Sequence, residues 1–200
     1  MTDYFALLDE PRRPWLDPQA LKTKFLKRAA ATHPDKKPGA GEMEKAAANR
    51  SYAELNAAFI CLAEPKSRLL HFLELELGTK PRDVQQIPAA LGDLFAEVAM
   101  TCRNADAFLA VKSKAASPLL QVQLFEQAQA WAEQLRALQT RLAGLQGKLT
   151  EELKSLDASW TSQAGERTVW LNRLEELYRL FGYFNRWNGQ IQERIVQLSL

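Results

Sequence analysis

Cysteine is scarce in this 200-residue chain. There are two, Cys61 and Cys102, 41 positions apart, with no Cys-x-x-Cys or Cys-x-x-His arrangement around either. That excludes a disulfide framework and a self-contained zinc site, and leaves buried free thiols as the expectation, with no cofactor. Long apolar runs are also missing: none approaches the ~20 residues of a membrane span. The opening Met1-Thr2-Asp3-Tyr4-Phe5 has neither the basic start nor the apolar core of a secretory leader. The chain is therefore expected in the cytoplasm, with no membrane contact. Strand signals are nearly absent too, because no sustained alternation of β-branched and aromatic residues lies between turn residues. Proline is missing from the second half. All nine prolines fall at or before Pro118, and 82 residues follow without one.

What is present is alanine, leucine, glutamine and glutamate in helical spacing, with 46% hydrophobic and 25% charged residues. This composition predicts an all-α soluble protein. In residues 1–78 the punctuation predicts four helices. A short opening turn over Asp3 to Leu8 ends at the Pro11–Pro14 stretch. Asp17 then caps a helix that begins at Pro18, where the ring presets φ and the missing N–H would have been unpaired anyway. That helix runs to Thr32, because Pro34 disfavours helical geometry at His33. A third helix spans roughly Glu42 to Ala63, with Tyr52, Leu55, Phe59 and Leu62 on one face. Pro65 opens a fourth, closed by Gly78. Residues 79–88 read as a linker. Residues 89–200 read as an antiparallel bundle of about three long helices. Their seams are Leu91, Leu94, Phe95, Val98, Cys102 and Leu109 in the first, a four-heptad run from Ala128 to Trp160 in the second, and Trp170 to Leu198 in the third.

The formal charge of +2 hides an uneven distribution. Residues 12–37 hold eight basic residues, among them Lys22, Lys24 and Lys27, against Asp17 and Asp35, a net of +6. Such a local field suits docking to an acidic partner. Nucleic acid is not expected, because the segment has few aromatics for stacking and no reader motif.

The tripeptide His33-Pro34-Asp35 lies between this basic helix and the helix carrying Asn56-Ala-Ala-Phe59 and Leu62. A histidine held before a proline, followed at once by an aspartate, has no third partner to complete a hydrolytic triad, so the chain is not expected to be an enzyme. The other histidine, His71, sits among apolar residues of the fourth helix and reads as packing. Together these features resemble the J-domain of DnaJ-type co-chaperones over roughly residues 3–78. Asp3-Tyr4-Phe5, Leu7, Pro65, Arg68 and the ending Phe72–Gly78 are most similar to the HscB subfamily of iron–sulfur cluster co-chaperones, which joins a J-domain to a helical bundle. Arg28 stands where J-domains usually place a core leucine, and Thr32 where they usually place tyrosine. The acidic and hydrophobic stretch with which the subfamily holds its scaffold is not recognisable over 89–104.

The resemblance implies a partner, a DnaK-type ATPase chaperone, met by His33, Pro34, Asp35, Lys22, Lys24 and Lys27. It implies a client, an IscU-type iron–sulfur scaffold, for which exposed apolar positions at or near Leu94, Val98 and Phe184 are expected to form the docking patch. A second reading keeps the J-domain but makes the long bundle a tethering or dimerisation device with an unrelated client; oligomeric state is left open.

Overall fold

The computed structural model describes residues 2–32, 41–81, 88–114, 117–162 and 167–199. Seven α-helices and no strand occur among them: α1 Tyr4–Leu7, α2 Pro18–Thr32, α3 Glu42–Ala63, α4 Pro65–Leu77, α5 Gly92–Lys112, α6 Pro118–Ser162 and α7 Arg167–Ser199. A 3-10 turn, Ala89–Leu91, leads into α5. The chain divides into two units. Unit 1 is Met1–Arg82 with Glu151–Arg179, and unit 2 is Asp83–Thr150 with Leu180–Leu200. The division differs from a single cut, however, because the end of α6 and the start of α7 belong with the short helices. No helix among the described residues is long and apolar enough to cross a membrane.

Local chemistry sets the ends of the short helices. The Asp3 carboxylate accepts the Phe5 and Ala6 N–H groups at 3.0 and 3.3 Å and starts α1. Asp17 accepts the Ala20 N–H at 2.8 Å, with Pro18 in the first turn of α2. Glu64 caps α4 through the Lys66 and Ser67 N–H groups at 3.1 and 2.6 Å. Gly78 ends α4 at φ +70°, where its N–H reaches the Glu74 carbonyl at 3.0 Å. Leu21 and Ala29 of α2 are buried, as are Leu55, Ala58 and Leu62 of α3. Phe25 stacks on Phe59 with ring centroids 4.3 Å apart, a pair worth about 0.5–1.5 kcal/mol beyond area burial.

Polar anchors hold the rest of unit 1. The buried Arg68 donates to the Pro14 carbonyl at 2.9 Å and the Leu62 carbonyl at 2.6 Å. Burial pulls its guanidinium down to about 10, with Glu64 and Asp157 opposing. The equally buried Asp157 of α6 accepts Arg13 Nε at 3.0 Å on both oxygens, Arg13 Nη2 on Oδ2, and the Trp15 N–H at 3.2 Å. Phe72 meets Trp160 edge-on at 5.3 Å, and Trp160 packs on Trp170 at 5.8 Å.

Unit 2 is a three-helix bundle. Leu94, Val98, Cys102 and Ala105 of α5 share one core with Ala128, Ala132, Leu135, Leu138 and Leu142 of α6 and with Tyr183, Phe184, Trp187, Ile191, Ile195 and Leu198 of α7. Cross-links give the directions. Arg194 meets Asp106 and Lys112 reaches the Leu198 carbonyl, so α5 and α7 run alike. Gln139 meets Gln192 and Gln146 meets Asn185, so α6 runs against α7. The seam of α6 from Ala128 to Leu142 is filled from within the unit.

Candidate functional site

The outer face of α2 is built by a helix that spends one stripe on the core and leaves the rest in water. Leu21, Phe25 and Ala29 recur every four residues and face α3. Lys22, Lys27 and Arg28 are exposed and make no ion pair with another described residue. Leu26, 53% exposed, stands one helical turn from Lys22. Sequence reasoning missed Leu26 as part of this face; its place off the buried stripe was the available signal. Arg28 takes no core position, because Leu21, Phe25 and Ala29 already fill that stripe, and Thr32 is exposed as well.

Lys24 is the exception. Its Nζ donates to the Asp9 carbonyl at 2.8 Å and pairs with Glu10 at 3.0 Å, so it fastens α2 to the turn after α1. Asp9 in that turn has φ +58°. The outward charges are thus Lys22, Lys27 and Arg28. His33, Pro34 and Asp35 lie outside the described residues; α2 ends at Thr32, immediately before them.

The expected client patch is corrected by the structure. Leu94, Val98 and Phe184 are all buried in the core of unit 2, because the periodicity that made them conspicuous is the periodicity of the bundle seam. The large apolar side chains that α5 does expose are Phe95, 42% exposed, Met100, 59%, and Val111, 58%. Asp93 and Glu97 lie on the same helix, and Glu97 pairs with Arg141 at 2.7 Å.

Neither cysteine is bonded to another. Cys61 is half-buried, and burial pushes its thiol up to about 11, helped by Glu64 and Glu74; Cys102 is buried and pushed up by burial. Among the described residues no three of His, Cys, Asp and Glu come together to hold a metal ion. His71 is packed as expected, with an added role as hydrogen-bond acceptor for the Tyr4 N–H at 3.0 Å.

Short helices capped by Asp3, Asp17 and Glu64, a basic outer α2 and a three-helix bundle define the class: a helical J-domain fold joined to a helical bundle. No family model and no curated protein matches the sequence. The particular fold is that of HscB. The chaperone HscB from Vibrio cholerae shares it at a TM-score of 0.60 and 20% identity, over 98% of this chain and 99% of that one. The human co-chaperone protein HscB shares it at a TM-score of 0.57 and 19% identity, over 98% of this chain and 81% of that one.

Proposed function

We propose that this protein is a co-chaperone that stimulates the ATPase of a DnaK-type chaperone and delivers a client to it, an iron–sulfur cluster scaffold of the IscU type. One observation carries the reading: His33-Pro34-Asp35 directly follows a helix with exposed Lys22, Lys27 and Arg28, in a chain with the HscB fold. The chemistry belongs to the partner. The loop and the outer face of α2 bind one conformational state of the chaperone more tightly than another, and a preference of ~3 kcal/mol shifts that equilibrium by more than a hundredfold. Leu26 adds an apolar contact amid the charges. On the client side, exposed Phe95 and Met100 of α5, with Asp93 and Glu97 between or beside them, offer the mixed apolar and acidic surface.

Single-turnover ATP hydrolysis by a DnaK-type chaperone tests the reading. The full chain is expected to accelerate it, and His33→Gln to abolish the acceleration while helicity is unchanged. Charge reversal at Lys22 and Lys27 together is expected to slow association, and raising salt is expected to slow the wild type, since exposed charges are screened over ~8 Å at physiological ionic strength. Equal stimulation by wild type and His33→Gln overturns the reading. Titration of the full chain with an IscU-type scaffold tests the client.

A further inference from the structure

We propose that His71 is an acid-operated latch for the N-terminal helix α1. With four residues α1 cannot sustain itself. Its attachment rests on the buried Phe5, stacked on the His71 ring at 5.7 Å and edge-on to Phe72 at 6.4 Å, on the Tyr4 ring 4.7 Å from the imidazole, and on the Tyr4 N–H bond to His71 Nε2. An imidazole that accepts at Nε2 carries its single proton on Nδ1. A second proton, taken from solvent at Nε2, sets two donors against each other across 3.0 Å. The Tyr4 bond is then lost, and α1 with it.

A second seat for the charged ring is already present. Glu74 lies three residues along α4 and lines the same cavity of about 250 Å³ as Thr2, Tyr4, Cys61 and His71. Its Oε1 is buried and meets no hydrogen-bond donor among the described residues; the Lys80 ammonium is 3.8 Å away. A cavity of this size admits water and hence protons. The imidazolium exchanges the Tyr4 N–H for the Glu74 carboxylate.

The groups that act on His71 come from each neighbouring element. Asp3 at the start of α1 and Glu74 on α4 favour the charged ring, Arg12 between α1 and α2 opposes it, and Cys61 of α3 is a protonated thiol. Burial outweighs the two carboxylates and holds the imidazole below its ordinary value of about 6.5. The folded state therefore binds fewer protons than the unfolded one. The contribution of the latch is complete above about pH 6.5 and is lost as pH falls through the lower folded value.

Amide hydrogen exchange of the full chain from about pH 7.5 to about pH 5 tests this, with protection expressed relative to an unstructured chain at each pH. Protection of the Tyr4 amide and through Leu8 is expected to fall by up to about tenfold per pH unit between about pH 6.5 and the lower folded value, while α2 to α7 keep theirs. His71→Gln, which keeps an acceptor without a titrating proton, is expected to hold α1 at every pH; His71→Phe is expected to leave it unprotected throughout. A fall in His71→Gln at the same pH assigns the effect to Asp3 or Glu74 and overturns the proposal. So does a fall shared by all helices. If His71→Gln does not fold, the wild-type imidazole signals decide: a midpoint shared with the α1 amides supports the latch, and separate midpoints overturn it.

Discussion

Units 1 and 2 solve the same problem, fixing helices in register, with different physics. The three buried polar or charged side chains among the described residues, Arg68, His71 and Asp157, all belong to unit 1. Unit 2 is held by interlocking apolar side chains, with Ala105, Ala128 and Ala132 interleaved among Tyr183, Phe184 and Trp187. The difference follows from element length. Helices of 21, 45 and 33 residues repeat their seam often enough for knobs and holes to select one register. A four-residue helix and an irregular stretch such as residues 10–16 carry no repeat, so directional bonds must do the selecting. Arg68 on the Pro14 carbonyl and Asp157 on Arg13 and the Trp15 N–H hold that stretch at three successive residues.

Substitutions that keep shape but change polarity, or the reverse, sharpen this contrast. The largest effect is expected from Leu142→Ala, about 4 kcal/mol in denaturant unfolding, because the emptied site in the bundle cannot fully collapse. Leu142→Met, which keeps the volume, is expected to cost below about 1.5 kcal/mol. Next comes Asp157→Asn. It keeps the shape, yet weakens the tie to Arg13, and a loss of about 3 kcal/mol is expected, with hydrogen exchange showing the damage confined to unit 1. That figure is the low end of the usual range because Arg13 retains 32% exposure and water can reach it. If Asp157→Asn is as harmless as Leu142→Met, the two units do not differ in kind. Gly78→Ala is expected to cost about 1–2 kcal/mol, read as a lower melting temperature, since the left-handed φ at the end of α4 penalises a Cβ. The smallest effect belongs to Arg141→Ala. Its partner Glu97 is on an exposed surface, and less than about 1 kcal/mol is expected in the same melt.

The ends of α2, α3 and α4 were legible because each is written in one or two adjacent residues: Asp17 before Pro18, Glu64 before Pro65, Gly78 after Leu77. The core of unit 2 was legible from period alone. The partnership of Arg13 with Asp157, 144 residues away, was not. Its one local sign is that Asp157 falls four residues after Leu153, inside a stripe that should be apolar. The division of α6 and α7 between two units was also hidden, since Leu153 and Leu174 continue the same spacing as Leu142 and Phe184 while their neighbours change. The docking patch failed for a related reason. Periodicity finds Leu94 and Val98 because they are buried, but it also takes in Phe95, which is 42% exposed at the edge of the seam, while exposed Met100 lies off the repeat. On α2, the pattern identified the basic helix but could not foresee that the Asp9 carbonyl and Glu10 would claim Lys24.

The thiol of Cys61, raised to about 11 by its surroundings, has a practical use. Alkylating dyes react with thiolate, and near neutral pH an ordinary exposed thiol presents more than a hundredfold more of it. Cys102 is buried, and burial likewise pushes its thiol up. Ala30→Cys on the exposed side of α2 would therefore accept a single maleimide fluorophore in the otherwise native chain, with neither natural cysteine removed, and place a reporter beside Lys27 from which an encounter can be followed in real time.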